Sequence, residues 1–331
     1  MNTFIHQKFI ENLQNKLRLP CGTSVLLGLS GGQDSLCMVK LFLDIQKFYH
    51  LKIGVINIDH QWRHDSVNNT FHVINMIQSL KVKTYIYEIR PFSYTEEEAR
   101  NIRYQLFLET ARQNKYSFIA TAHNLNDQIE TGLHNIFRGS DIDSLQSLTW
   151  SRHLKTKIQL VRPMLNIQRW EIEWFCRYFA LPIWHDFSNL ECIKERNRIR
   201  QELIPYIQYH FSYNIECQIS KFMEYAYSDC EYMRQNTLKL YLKIKHPCFI
   251  AINTSKLRCQ HQALQRRVLQ LFLLHNTSTN LPVTLLNQLL NSLNKKLFIK
   301  IPHNQIMICN NMQWIYLYYN KSISYNNFSQ G

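Results

Sequence analysis

The sequence predicts an α/β protein: a doubly wound parallel sheet followed by a smaller, mainly helical C-terminal domain. Three observations carry this. Short apolar runs alternate with helix-length stretches from residue 25 to residue 137, the pattern of successive strand–helix units that lay their strands in parallel. A glycine turn at 30–35 follows the first apolar run directly, and sheets of this kind bind ligands at the carboxyl ends of their strands. From about residue 206 the alternation gives way to long helical stretches rich in aromatic residues.

Taken in order, residues 25–29 are the first strand and 36–48 the first helix. A second strand over 53–58 precedes a helix over about 66–80. Residues 82–89 read as a strand from their β-branched and tyrosine content. A helix over 96–113 opens at Thr95 with Glu98 three residues on, the spacing of a capping box. Residues 117–121 and 125–137 complete the series as strand and helix. Beyond Pro205, residues 206–245 are largely helical, 263–274 and 283–293 are shorter amphipathic stretches, and 297–301 with 305–308 form a small hairpin around His303-Asn304. The domain boundary is expected near Pro205, giving a catalytic domain over 1–205 and a basic domain over 206–331. Residues 321–331 are expected to fray.

A length of 331 residues fits two domains. No run of about 18 apolar residues occurs, so no transmembrane helix and no membrane partner are expected. The N-terminal stretch carries an acid, Glu11, and lacks the basic start and apolar core of a signal peptide. Lys and Arg number 38 against 24 Asp and Glu, a formal charge of +14 that points to a polyanion, RNA or DNA, as partner. The excess is uneven. Residues 1–205 hold 25 basic and 20 acidic side chains, and residues 206–331 hold 13 and 4. Glu231 is the last acid, so chemistry that needs carboxylates, hard-metal binding included, lies upstream. The nine cysteines form no C-x-x-C pair, which argues against a structural zinc or paired redox site and for free thiols in a reducing compartment.

The strongest motif is Leu29-Ser30-Gly31-Gly32-Gln33-Asp34-Ser35, set between a strand and a helix. Adjacent glycines let the backbone approach a phosphate, and the amides of the helix start point at the anion. Ser30 and Ser35 offer hydroxyls. Asp34 would repel a phosphate unless a cation intervenes, so its place marks it as a magnesium ligand. No Gly-Lys-Ser/Thr follows, so this is not a Walker A loop.

SGGQDS resembles the SGGxDS loop of the PP-loop ATP pyrophosphatases. Six further segments follow in the order of one branch of that superfamily, the tRNA(Ile)-lysidine synthases. They are Ile58-Asp59-His60-Gln61-Trp62-Arg63, Glu98-Ala99-Arg100 with Arg103-Tyr104, and Thr121-Ala122-His123 with Asp127, Gln128 and Glu130-Thr131. Then come Arg138-Gly139-Ser140, Arg162-Pro163-Met164-Leu165 with Arg169 and Glu171, and Asp186-Phe187-Ser188-Asn189 leading to Arg196-Asn197 and Arg200. Beyond residue 205 only Leu264-Gln265-Arg266-Arg267 and the helical character are similar. Asn126 stands where the family has the first of two aspartates, Asn124 where it has a second histidine, and Asp141 and Ser144 where it has glycines. No counterpart of the extra C-terminal domain of longer bacterial relatives is expected.

The resemblance implies the PP-loop fold, of the adenine nucleotide alpha hydrolase type. It also implies an ATP-dependent carbon–nitrogen ligase using ATP and Mg2+. The carbonyl at position two of the wobble cytidine in a CAU-anticodon isoleucine tRNA is adenylated, with loss of pyrophosphate. The ε-amine of L-lysine then displaces AMP, and the product lysidine makes the tRNA read AUA and accept isoleucine. ATP is then held by Ser30, Gly31, Gly32, Gln33, Asp34 and Ser35, and catalysis falls to Asp34, His123, Asp127 and Arg103.

Other roles keep two readings each. Asp127 and Glu130 share a helix face and either seat the lysine cation or complement the helix dipole. His123 contacts a phosphate or moves a proton, or is structural. Arg100 and Arg103 steady the α-phosphate or pair with Glu96 and Glu97. Arg196 and Arg200 grip tRNA or lie solvated, as do Arg266 and Arg267. A homodimer is compatible with this reading. Competing functions are a tRNA thiolase of the same superfamily, disfavoured by the lack of C-x-x-C, and a non-catalytic RNA-binding module, disfavoured by the intact loop. Only eight glycines and a wealth of Asn, Ile, Lys, Tyr and Phe suit an AT-rich genome. A plastid-encoded stromal enzyme is the first expectation, and a bacterial cytoplasm the second.

Overall fold

The computed structural model describes residues 3–59, 71, 73–75, 82–89, 95–145, 148–154, 157–184, 195–277, 283–300 and 306–319. The chain divides into two compact units, Met1–Ala226 and Tyr227–Gly331. The division falls 21 residues after the expected Pro205, inside one helix. Residues on the first turns of that helix pack into the first unit: Met223 is buried, and a Cβ built on Gly132 would lie 2.7 Å from its Cε.

The first unit begins with α1 (Phe4–Glu11), β1 (Ser24–Gly28), α2 (Gln33–Ile45), β2 (Lys52–Asp59) and β3 (Lys83–Glu88). Next are α3 (Glu96–Gln113), β4 (Phe118–Ala120), α4 (Leu125–Phe137), β5 (Ser151–His153), β6 (Gln159–Val161) and α5 (Arg169–Tyr178). The sheet order is β3-β2-β1-β4-β6-β5. Neighbours are parallel except β5, which runs against β6. Alternation along β1 explains its unbroken apolar run. Val25 and Leu27 face a core shared with Phe9, Phe42 and Phe175, and Leu26 faces the opposite core with Phe107, Tyr116 and Ile119. Helices cover both faces, as parallel sheets require. On β2 a side chain at Gly54 would force Tyr116 to shift, since a Cβ there would lie 2.1 Å from Tyr116 Oη.

Sequence and structure agree closely on α3 and α4, whose bounds are those read from the sequence. Capping boxes of Thr95 with Glu98 and of Asn124 with Asp127 fix both starts. α2 starts three residues earlier than its apolar periodicity indicates, because Gly32 in extended conformation is its N-cap. The expected helix at 66–80 lies largely outside the described residues.

After α6 (Glu195–Arg198), a π-helical turn (Ile199–Leu203) and α7 (Ile204–His210), the long helix α8 (Ile215–Ile244) leads into the second unit. There β7 (Ala251–Asn253), α9 (Thr254–Arg258), α10 (Gln262–Thr277), α11 (Val283–Asn291), β8 (Leu297–Lys300), β9 (Ile306–Asn310) and β10 (Trp314–Tyr319) follow. The strands form an antiparallel sheet of order β7-β10-β9-β8. It shares a core of Leu257, Val268, Phe272, Leu289 and Ile315 with the helices. The expected hairpin is β8–β9, its His303-Asn304 turn lying outside the described residues; β7 and β10 extend it to four strands. No helix among the described residues is long and apolar enough to cross a membrane.

Candidate active site

Strand order reverses at β1, with β2 and β3 to one side and β4 and β6 to the other. Such a reversal opens a crevice at the carboxyl ends of the strands on either side of it. The glycine loop leaves β1 at this end, and the segment from Thr121 to Asp127 leaves β4 beside it. The loop is pinned by Asn57 on β2, whose Nδ2 donates to the Leu29 carbonyl at 2.8 Å, and by Trp184, whose backbone N–H donates to the Gly31 carbonyl at 3.2 Å. Gly31 has φ +81°, a conformation that favours glycine. No side chain caps α2 at Gly32, so the positive end of the helix is left for an anion. Ser35 is committed to the loop itself. Its Oγ donates to the Gly32 carbonyl at 2.8 Å and accepts from the Ser30 N–H at 3.2 Å. Its hydroxyl therefore braces the loop, and the Oγ of the exposed Ser30 lies 3.1 Å from it.

Asp34 lies on the first turn of α2. Its Oδ1 is buried with no hydrogen-bond partner. Arg169 Nη2 stands 3.8 Å from Oδ2. Burial pushes the Asp34 carboxyl up to about 6, with Asp127 adding to the rise, while Arg169, Arg200 and the Asn124 side chain oppose it. At neutral pH it is a carboxylate held at a cost, which a cation would relieve. Among the described residues no group of three His, Cys, Asp or Glu is arranged to hold a metal ion. Magnesium fits under those terms, because it usually binds one or two carboxylates and takes its other ligands from phosphates and water. The unpartnered Oδ1 of Asp34 is the atom that suits it.

Across the crevice, Asp127 completes the capping box of α4, accepting from the Asn124 N–H at 3.1 Å. Glu130, one turn further on, is fully buried. Two arginines close over the pair. Arg200 grips Glu130 in bidentate fashion, Nε to Oε1 at 2.6 Å and Nη2 to Oε2 at 2.9 Å. Arg196 Nε donates to Glu130 Oε2 at 3.0 Å. Each guanidinium also reaches Asp127 Oδ1 at 3.4 Å. The residues that sequence reading divided between lysine and tRNA thus form one ion cluster. Neither reading of Arg196 and Arg200 included a pairing with these acids, 66 to 73 positions away.

His123 follows β4, its Nδ1 3.0 Å from Thr121 Oγ1. Burial pushes its pKa down to about 3, and the charges of Arg162, Arg196, Arg100 and Arg103 push the same way. It is therefore neutral at physiological pH. The same four arginines define a positive field around it. Arg103 is exposed on α3. Arg162 is buried, and its Nη1 donates to the Thr149 carbonyl at 2.6 Å.

Asn126, a departure from the family pattern, is a brace: its Oδ1 accepts from the Arg169 N–H at 3.0 Å, and its Nδ2 donates to Glu216 on α8. No sequence signal pointed to Glu216 or Asn57, because their partners are distant in the chain, whereas Arg162 was marked by its motif. In the second unit Arg266 is exposed, whereas Arg267 is half-buried, with Nη2 3.8 Å from Cys230 Sγ. Lys295 and Lys296 are exposed. The segment His60-Gln61-Trp62-Arg63 and the segment from Asp186 to Asn189 lie outside the described residues.

A parallel sheet with this reversal, a glycine loop opening an uncapped helix and an acid on its first turn define an ATP-using enzyme of the PP-loop class. The model of the PP-loop domain matches residues 2–207. The chain is 42% identical to the chloroplastic tRNA(Ile)-lysidine synthase of Gracilaria tenuistipitata var. liui, over 95% of this chain and 99% of that protein. It is 36% identical to the chloroplastic tRNA(Ile)-lysidine synthase of Pyropia yezoensis, over 96% of each. Identity to the tRNA(Ile)-lysidine synthase of a Nostoc species is also 36%, over 81% and 82%. The U34-tRNA thiolase NcsA of Methanococcus maripaludis shares the fold, with a TM-score of 0.55 at 19% identity over 66% of this chain and 77% of that one. The chain therefore belongs to the tRNA(Ile)-lysidine synthase family.

Proposed function

We propose that this ligase joins L-lysine to the wobble cytidine of a CAU-anticodon isoleucine tRNA, by way of an adenylated cytidine, releasing pyrophosphate and then AMP. The observation that carries the chemistry is the buried, unpartnered Asp34 Oδ1 at the mouth of the uncapped helix α2, in one crevice with Asp127 and Glu130. ATP lies with its phosphates along Ser30 to Ser35, on the positive end of α2. Magnesium on Asp34 would neutralise charge on the departing pyrophosphate. The arginine field around His123 faces the anionic side of the reaction, with Arg103 and Arg100 toward the α-phosphate. His123, neutral, donates or accepts one hydrogen bond through Nε2. Asp127 and Glu130 hold the lysine ammonium and orient the amine toward the activated carbon. The cations of the second unit attract the tRNA backbone. The chloroplastic relatives favour a plastid stroma and a plastid-encoded origin.

Incubation with ATP, Mg2+, bulk tRNA and labelled amino acids tests this. Lysine alone is expected to enter tRNA. Equal incorporation of a neutral amino acid, or sulfur transfer without any amino acid, contradicts the reading.

A further inference from the structure

The helix that carries two of the site's carboxylates also serves a second surface. Asp127, Glu130, His134 and Phe137 follow one another on α4 at spacings of three, four and three, so they share one face. The first two end in the ion cluster. The last two line a cavity of about 550 Å3 whose apolar walls are Phe137, Ile199, Leu203 and Tyr206, a volume within the range of ligand clefts. The facing segment divides in the same way. It sends Arg196 and Arg200 to the cluster, and Ile199, Leu203 and Tyr206 to the cavity. Phe137 is 64% exposed and Tyr206 57%, so two aromatic rings stand open to solvent beside the reaction site.

The charges of the cavity decide what enters. Arg138 and Arg198 are matched in number by Glu195 and Glu202. Glu195 is engaged, its Oε2 3.0 Å from His134 Nε2 and 3.4 Å from Arg138 Nη2. Glu202 is exposed and makes no hydrogen bond or ion pair among the described residues. A phosphate would meet two carboxylates and no surplus of positive charge. A flat, uncharged ring bearing an amino group would meet aromatic and aliphatic walls and a carboxylate ready to accept its N–H.

Resting on the proposed function, we infer that this cavity is a nucleobase site, which seats the adenine on the 3′ side of the wobble cytidine. Adenylation at position two needs the Watson–Crick edge of the cytidine in the crevice, so that base leaves the stack of the loop. Its neighbour loses a stacking partner, and Phe137 and Tyr206 supply one. The seven residues from Glu130 to Phe137 advance about 10 Å along α4, whereas a stacked strand advances about 3.4 Å per nucleotide. A strand opened from its stack therefore carries the next base to the cavity. The exocyclic amine of adenine donates to Glu202. A base with a carbonyl in that place leaves the carboxylate facing an acceptor.

The test is binding of anticodon stem–loop RNA to the full chain, by filter titration at fixed salt. The position after the cytidine carries adenine, unsubstituted purine or an abasic sugar. Wild type is expected to bind the adenine RNA about 10-fold more tightly than the purine RNA, and the abasic RNA more weakly still. Glu202→Ala should bind adenine and purine RNA alike. Phe137→Ala combined with Tyr206→Ala should bind all three as weakly as wild type binds the abasic RNA. These side chains are exposed, so the variants should fold. Equal affinity of wild type for the three RNAs overturns the base site without any variant. So does a folded double variant, or a Glu202→Ala variant, that keeps the wild-type preferences. Transfer of lysine to tRNA is measured alongside. Ligation by an enzyme indifferent to the adenine sinks the base site alone, and absence of ligation sinks the proposed function.

Discussion

In residues 1–205, 25 basic side chains stand against 20 acids, whereas the last 100 residues hold 12 basic side chains and no acid. The first region spends its cations on neighbours. Arg169 faces Asp34, and Arg196 and Arg200 face Asp127 and Glu130. In the second unit Arg266, Lys295 and Lys296 are exposed in a stretch that offers no carboxylate. Paired, partly buried charges shape one site and discriminate at short range. Unopposed exposed charges attract a polyanion with little regard to sequence. The difference teaches that net charge alone says where nucleic acid is drawn, not where the reaction occurs.

The comparison breaks most sharply at Asp34. Asp34→Asn removes the carboxylate at the mouth of α2, and the rate of pyrophosphate release should fall by about 100-fold or more, the scale on which removal of one transition-state charge interaction acts. Affinity for tRNA should not change. A wild-type rate of pyrophosphate release by the folded variant would show that the first region's carboxylate is not part of the chemistry. Asn126→Asp is the companion, expected to retain activity.

A smaller effect is expected from straining the first region's scaffold. Gly54→Ala forces a Cβ against the Tyr116 ring, and overpacking of this kind costs about 1–3 kcal/mol. Thermal melting followed by circular dichroism should show the loss. An unchanged melting temperature would mean that the sheet accommodates the methyl group.

His123 gives a pH signature that belongs to the first region alone. Its folded pKa, about 3, lies below the ordinary value of 6.5. Below pH 6.5 the unfolded chain takes up this proton and the folded chain does not, so stability falls with pH until about 3, at up to about 1.4 kcal/mol per unit. Replacement by Gln should flatten the slope of stability against pH in that window. An imidazole NMR shift that titrates near pH 6.5 would contradict the burial account.

Much of the first region was legible because its signals are local. Thr95 with Glu98 lies within one turn, and the bounds of α3 follow. Gly31, Gly32 and Asp34 lie together and mark the loop. What the sequence did not disclose is long-range. Asn126 bridges Arg169 and Glu216, 43 and 90 positions away. Arg196 and Arg200 fold back on acids that were read separately, since nothing in an i, i+4 pair of arginines indicates which charges lie opposite. In the second unit three of the six residues of β10 pair with the three-residue β7, a strand too short for periodicity to reveal. The π-helical turn at Ile199–Leu203 departs from the helical spacing assumed for Arg196 and Arg200.

The division between paired and unopposed charge is tested most directly by salt titrations of tRNA binding to the full chain, with ATP affinity measured alongside. Arg266→Ala, Lys295→Ala and Lys296→Ala are combined in one variant. For every cation that no longer neutralises a phosphate, the plot of log affinity against log salt should flatten by roughly one unit, and affinity at low salt should fall about 10-fold or more. ATP affinity should stay at the wild-type value. Unaltered tRNA affinity with an unaltered salt slope would contradict the account and return tRNA attraction to the arginines of the first region.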